Sequence, residues 1–127
     1  MSAPTELVKG NAVVLILSCL AREPMHGYRI VKELDQMSEG YFTMGEGTLY
    51  PHLHQLEKDG LIEGYWETVS GGRERKCYRI TETGKAELAR RSAEWRKFQE
   101  NVSRVLNPSL GVMSLSIMPV GGLPWIS

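Results

Sequence analysis

Pro51 lies inside a segment whose apolar residues have helical spacing, and it restricts where that helix can begin. Proline has no amide hydrogen, so an α-helix tolerates it best in the first turn, where amide hydrogens have no intrahelical acceptor anyway. We therefore expect a helix that begins near Gly47 or Thr48 and no earlier. Its end is predicted at Lys58 or Asp59. The side chains predicted to point inward are Leu49, Leu53 and Leu56.

Two more helices are predicted upstream of this segment. Residues 7–21 are good helix formers with apolar side chains on nearly every side, which predicts a helix buried on most of its faces. The following Glu23-Pro24 ends it. Residues 27–37 place charged side chains on one side and an apolar stripe on the other. That stripe consists of Tyr28, Val31, Leu34 and Met37.

A β-hairpin is predicted after the third helix. Residues 61–68 are rich in Ile, Tyr, Trp, Val and Thr, and residues 76–80 repeat this character. Ser70-Gly71-Gly72 lies between the two segments as a flexible turn, which is typical of a hairpin. The residues that follow the turn make it cationic, and these are Arg73, Arg75 and Lys76.

A fourth helix is predicted from Thr81, its N-cap, to about Leu106. Its apolar residues advance by sevens, threes and fours, which predicts a seam that packs against a partner helix. The seam contains Leu88, Trp95, Phe98, Val102 and Val105. Arg104 is the last charged residue, and we interpret residues 107–127 as an uncharged tail. The sequence leaves open whether this tail is disordered or docks in a hydrophobic groove of a dimer.

Length and charge limit the class of protein. A chain of 127 residues is suited to one domain, and the segments above predict a mainly α fold with a small β-hairpin, in the α+β class. The 15 cationic residues balance 15 acidic ones, so no overall charge attracts polyanions. Nucleic-acid binding would therefore depend on local clusters of Lys and Arg.

Several kinds of site are not expected. Cys19 and Cys77 lie far apart among apolar or aromatic neighbours, which favours buried thiols in a reducing cytoplasm over a disulfide or a metal site. The three histidines, His26, His52 and His54, do not have the spacing of metal ligands. We find no nucleophile with a base at motif spacing and no phosphate-binding glycine loop, so no enzyme, catalytic residue or cofactor is predicted. No apolar run is long enough to cross a membrane.

A set of short motifs extends over roughly residues 7–106. These motifs are Gly27-Tyr28, Gly47-Thr48-Leu49-Tyr50-Pro51, Leu53, Leu56-Glu57, Gly60-Leu61-Ile62, Gly72-Arg73, Arg75-Lys76, Tyr78, Arg79, Ile80-Thr81 and Gly84. Each motif is weak alone, but their order and spacing are specific together. With these motifs the sequence resembles the PadR-like family of bacterial winged helix-turn-helix transcriptional regulators. In this family the hairpin is called the wing. Glu74 departs from the pattern, since the family often has proline there.

The resemblance implies a winged helix-turn-helix domain over residues 1–81 and a dimerisation helix over residues 82–106. It also implies a homodimer that represses transcription by placing its two third helices in successive major grooves of a promoter palindrome. The rival interpretation is a winged-helix module that binds another protein through its wing and tail. Salt-sensitive DNA binding would distinguish the two.

The chemistry of the residues divides the predicted DNA contacts. Thr48 and Tyr50 offer hydroxyls at a helix N-terminus, which favours phosphate, although Tyr50 could instead be an aromatic that leans on Leu53. His52 and Gln55 are expected to read base edges, His toward guanine and Gln toward adenine. The wing residues are predicted to contact phosphates without regard to sequence. These wing residues are Arg73, Arg75 and Lys76.

Trp95 and Phe98 suggest a second type of site. In a two-fold dimer a tryptophan on the seam can face its own copy, and two indoles separated by a gap make a slot for a planar aromatic effector. The alternative is ordinary packing of a tryptophan beside Phe98. If a ligand binds, we expect it to rotate the protomers and change the spacing of the paired third helices.

Overall fold

The computed structural model describes residues 1–108. Over these residues the helices are α1 (Thr5–Arg22), α2 (Gly27–Met37), α3 (Glu46–Lys58) and α4 (Glu82–Leu106), and the strands are β1 (Met25–His26), β2 (Ile62–Thr68) and β3 (Glu74–Ile80). This mixture confirms the predicted α+β class. The chain divides into two units, of which the first is residues 1–90 and the second begins at residue 91, so the boundary falls within α4.

The core of the first unit collects the apolar faces of α1, α2 and α3 against one face of the sheet. α1 is buried at positions spread around the helix, as its sequence predicts. Removing this apolar surface from water is the main source of stability. The largest fully buried side chains include Ile16, Leu17, Leu20, Ile30, Leu49, Leu53 and Ile62.

α3 begins earlier than the sequence predicts. Its first residue is Glu46, with Gly45 as N-cap, so Pro51 lies inside the helix and not in its first turn. Proline cannot donate to the carbonyl four residues earlier, which belongs to Gly47. Gly47 is exposed, so water can serve that carbonyl and the helix tolerates Pro51 there.

The sheet has three antiparallel strands in the order β1-β3-β2. β1 was not predicted, because two residues carry too little pattern to be recognised, and it places Met25 opposite Tyr78 and His26 opposite Cys77. β3 begins two residues before the predicted Lys76. Between β2 and β3 a 3-10 turn over Ser70–Gly72 reverses the chain.

Thr81 connects the hairpin to α4 and caps that helix as predicted. Its hydroxyl accepts a hydrogen bond from the Gly84 amide at 3.0 Å and lies 2.7 Å from the Gly60 carbonyl oxygen, to which it donates. The second unit is described from residue 91 to residue 108. Asn107 and Pro108 are exposed, and the rest of the predicted tail lies outside the described residues.

Candidate nucleic-acid interface

The exposed side of α3 carries the residues predicted to read bases. Gln55 is exposed and His52 is half-buried, while the leucines of the same helix face the core. The Gln55 amide donates to Asp59 Oδ1 at 2.9 Å, which holds the side chain along the helix. Thr48 is half-buried in the first turn, one residue after Gly47. The helix therefore presents hydroxyl, imidazole and amide groups to solvent.

Tyr50 is half-buried and packs against the core of the first unit. Its hydroxyl lies so close to Gly27, the first residue of α2, that a β-carbon there would come within 2.7 Å of the phenol oxygen. The ring thus holds the start of α2 against α3. The ring is therefore largely used in packing. The hydroxyl lies beside a helix N-terminus, a position in which it can also contact a phosphate.

The three cations of the wing differ in their surroundings. Arg73 is exposed, and within residues 1–108 its guanidinium forms no hydrogen bond or ion pair. Arg75 Nη2 lies 3.0 Å from Glu67 Oε2 across the hairpin, and Lys76 Nζ lies 3.1 Å from Glu57 Oε1 on α3. Two of the three predicted phosphate ligands are therefore already paired with carboxylates.

Gly64 makes room for the ion pair between Lys76 and Glu57. A β-carbon on Gly64 would overlap Lys76 Cε and would lie 2.8 Å from Glu57 Oε2. Lys76 Nζ also lies 5.5 Å from the centre of the Tyr78 ring. The contact joins α3 to β3 across β2, so the third helix and the wing are directly linked.

The acidic partners in this site were missed from the sequence. Glu67 stands opposite Arg75 and Glu63 opposite Arg79 in the antiparallel register. Opposite charges at facing positions stabilise a hairpin, so a complete register would have indicated both pairs. The Arg79 guanidinium also lies 4.0 Å from the centre of the Tyr65 ring.

His26 lies beside the base of the wing and caps α2. Its Nδ1 accepts a hydrogen bond from the Arg29 amide at 3.3 Å, which requires an unprotonated nitrogen. Burial lowers the pKa of His26 below its ordinary value, and the positive charges of Arg75 and Arg29 lower it further. The imidazole therefore stays neutral, which preserves the cap.

The half of α4 in the second unit carries an exposed apolar stripe. Trp95 is 45% exposed, Phe98 70% and Val105 79%. Phe98 and Val105, with Asn101, Val102 and Leu106, line a shallow depression of ≈ 270 Å³ on this helix. Trp95 lies on the same stripe, outside that depression. Such a stripe on a helix is typical of a surface that another chain covers.

The cysteines have the burial expected of structural thiols. Both are buried and unbonded to each other, and burial raises the pKa of the Cys19 thiol to about 11. Among the described residues no cluster of three or more His, Cys, Asp or Glu side chains could hold a metal ion. Within that same part of the chain, none of the helices combines the length and apolar character needed to cross a bilayer.

Comparison with known proteins places these elements in a family context. The family model described as "Transcriptional regulator PadR-like family" matches residues 16–90, which include α2, α3 and the whole wing. An uncharacterized protein X of Lysinibacillus sphaericus is 35% identical over 96 residues, which are 76% of this chain and 88% of that protein. Transcriptional regulator Rv3488 of Mycobacterium tuberculosis is 42% identical over 73 residues, 58% of this chain and 64% of that protein.

Solved structures of transcriptional regulators also resemble this chain. A PadR family transcriptional regulator from Eggerthella lenta superposes with a TM-score of 0.70 at 36% identity, over 80% of this chain and 87% of that one. A transcriptional regulator from Clostridium thermocellum superposes with a TM-score of 0.73 at 26% identity, over 80% and 96% of the two chains.

Proposed function

The chain belongs to the PadR-like family of transcriptional regulators, and we propose that it regulates transcription by binding duplex DNA as a homodimer. Its family is one of regulators and not of enzymes, which agrees with the expectation from the sequence. The observation that carries the DNA-binding proposal is the direct link between α3 and the wing. Glu57 on α3 and Lys76 on the hairpin are ion-paired, so the proposed base-reading helix and the cationic hairpin are held together.

Each element has its own role in the proposed complex. α3 enters the major groove, where Gln55 and His52 face base edges and Thr48 and Tyr50 approach the phosphate backbone. The wing lies along the backbone, with Arg73 as its unpaired cation. Arg75 and Lys76 share their positive charge with carboxylate partners, so a phosphate must compete with Glu67 and Glu57 for them. Repression follows if the bound dimer occupies a promoter palindrome.

The apolar stripe of α4 is the proposed dimer surface. An exposed run of Trp95, Phe98, Val102 and Val105 at heptad-like spacing is unfavourable in water and is covered when a second copy of the helix packs on it. A dimer of this kind would carry two copies of α3, one for each half-site of a palindrome. Half-sites about one DNA turn apart then match the protein symmetry.

We extend the dimer proposal to an effector site. Two copies of Trp95 that face each other across the dimer axis, with Phe98 beside them, would form an apolar slot for a planar aromatic compound. Occupation of the slot would change the angle between the protomers and so the spacing of the α3 helices. The supporting observation is that the Trp95 indole is almost half exposed on the proposed dimer surface.

Gel-shift titration tests the regulatory function. The probe is a duplex from the region upstream of the protein's own gene, at a low and a high salt concentration, with an unrelated duplex of equal length as control. We expect tighter binding to the upstream duplex and a marked loss of affinity with salt. Absence of salt-sensitive binding would favour the rival module that binds protein through its wing.

Sedimentation of charge-matched variants tests the dimer. Phe98→Glu places a carboxylate on the stripe, whereas Gln99→Glu adds the same charge at the next, exposed position of α4. We expect Phe98→Glu to convert the dimer to a folded monomer and Gln99→Glu to leave it dimeric. A dimer that survives Phe98→Glu would place the interface elsewhere.

Fluorescence tests the effector slot. Titration with para-nitrophenol, a planar phenol, should quench indole emission of the wild type through Trp95. Trp95→Ala should abolish the saturable part of this quenching while circular dichroism shows an intact fold. Trp66→Phe and Trp125→Phe control for the other two indoles. Unchanged quenching in Trp95→Ala would show that no such slot exists.

A further inference from the structure

We propose that Glu67 limits the affinity of this protein for DNA by holding the Arg75 guanidinium away from the phosphates. The inference rests on the proposed DNA-binding function and adds a residue that sets its strength. Glu67 is placed on β2 directly opposite Arg75 on β3. Both side chains are partly exposed, at 41% and 45%, so the pair is accessible to a phosphate from solvent.

Both oxygens of the Glu67 carboxylate are engaged. Oε2 accepts from Arg75 Nη2 at 3.0 Å, and Oε1 accepts from the Cys77 thiol at 3.5 Å. The hydrogen bond from Arg75 is the main cause that lowers the pKa of the Glu67 carboxyl, and the bond from Cys77 lowers it further. The carboxylate is therefore ionised at neutral pH and fixed in position.

Arg73 provides the contrast within the same hairpin. It lies two residues before Arg75 on extended backbone, with φ −75° and ψ 152°, so the two side chains are directed toward the same face. The Arg73 guanidinium has no partner among the described residues, whereas the Arg75 guanidinium has a carboxylate within hydrogen-bond distance. Arg73 and Arg75 are both predicted phosphate ligands of the same hairpin, but only Arg75 is already paired with a carboxylate.

Glu67 acts on Arg75 and not on the wing as a whole. The neighbouring Lys76 pairs with Glu57 on a different element, and Arg79 pairs with Glu63 at 4.0 Å while it stacks on Tyr65. A phosphate that binds Arg75 must either displace Glu67 or share the guanidinium with it, and in both cases the carboxylate stays next to the DNA as a like charge. The exchange releases fewer counterions than binding by an unpaired arginine.

The test measures the affinity for the upstream duplex and its salt dependence by fluorescence anisotropy. Glu67→Gln removes the charge and keeps the shape, and Glu63→Gln makes the same change in net charge on the same face of β2. We expect Glu67→Gln to tighten binding by about two- to fivefold, the range of an exposed ion pair. The salt slope should become steeper by about 0.9, equivalent to one further phosphate contact. Glu63→Gln should produce a clearly smaller change in both quantities.

A double-mutant cycle assigns the effect to Arg75. In an Arg75→Ala background, Glu67→Gln should no longer tighten binding beyond what Glu63→Gln does. Arg75→Ala alone should flatten the wild-type salt slope much less than Arg73→Ala does, a comparison that does not depend on any change at Glu67. Thermal unfolding confirms that each variant is folded.

The results separate this inference from the proposed function. Equal effects of Glu67→Gln and Glu63→Gln, or a gain that persists in Arg75→Ala, would overturn the role of Glu67 while leaving DNA binding intact. Weaker binding by Glu67→Gln would overturn it as well. A wild type that binds no duplex in a salt-sensitive manner would overturn the proposed function, and the role of Glu67 with it.

Discussion

The carbonyl oxygen of Leu61 lies against the α-carbon of Gly84, with no room between them for a β-carbon. The same carbonyl accepts a hydrogen bond from the Thr81 amide at 3.1 Å. α4 therefore begins in direct contact with the backbone that leads into β2. The wing and the start of the fourth helix are held together by backbone groups, which a change of surface side chains does not disturb.

Gly84→Ala is expected to destabilise the protein by about 1–3 kcal/mol, because the added methyl group would overlap backbone that cannot move aside. The matched control is Gly10→Ala, since Gly10 also lies within a helix and has nothing within 4 Å of the position of its β-carbon. That change should stabilise the protein by about 0.5–1 kcal/mol. Urea unfolding measures both, and equal effects of the two changes would contradict the contact.

His26 makes stability depend on pH through its cap on α2. The neutral imidazole accepts a hydrogen bond from the Arg29 amide, and the pKa of His26 in the folded protein lies below the ordinary value of 6.5. As pH falls below that value the unfolded chain takes up a proton first, so the free energy of unfolding decreases until the folded protein is protonated too. The stabilisation is fully present above the ordinary value.

Chemical unfolding of His26→Asn checks this dependence. It is measured from about pH 5 to about pH 8, the range in which histidine titrates. Asparagine retains the cap without a titrating group, so the decrease attributable to His26 should disappear. His54→Asn removes an exposed imidazole and serves as control. A wild-type pH dependence retained in His26→Asn would exclude the cap as its cause.

Arg73→Ala is expected to weaken binding to every duplex alike. The guanidinium is the unpaired cation of the wing, so its loss should flatten the salt slope by about 0.9. Lys9→Ala on α1 removes the same charge at an exposed position of another element and should leave the slope nearly unchanged. The measurement is the affinity of the variant for several duplexes of different sequence. A change in their order of affinity would show that Arg73 reads bases.

Tyr50→Phe distinguishes the two interpretations of Tyr50. The variant keeps the ring that packs beside Gly27 and removes the hydroxyl. If the hydroxyl binds phosphate, affinity should fall by a free energy of about 0.5–1.5 kcal/mol while the melting temperature stays close to that of the wild type. An unchanged affinity would assign Tyr50 to packing alone.

The sequence predicts the helices from the spacing of their apolar residues, and it predicts the hairpin from two segments of β-forming residues on either side of Ser70-Gly71-Gly72. It places the start of α3 too late, since the rule for proline does not include an exposed carbonyl that water can serve. It misses β1 because a strand of two residues depends on its partner, with His26 opposite Cys77. The extended conformation of such a short segment is determined by its pairing with a neighbouring strand and not by its local sequence pattern.

The candidate site is predictable in its residue types and less so in its charge balance. Arg73, Arg75 and Lys76 form one basic run in the sequence, but folding brings Glu67 to Arg75 and Glu57 to Lys76. Those contacts depend on the register of the hairpin and on the approach of α3 to β2. Neither can be derived from the spacing of charges along the chain.

The ion pair above Gly64 restricts how a protein of this design can acquire a new target. An engineer who grafts a different reading helix onto this scaffold must carry Glu57 with it and leave position 64 without a side chain. Otherwise the transplanted helix loses the ion pair that joins it to the hairpin. Under the proposed role of α3, specificity can be altered most freely at His52 and Gln55. It can be altered least freely at Glu57, two residues after Gln55, because Glu57 pairs with Lys76 of the hairpin.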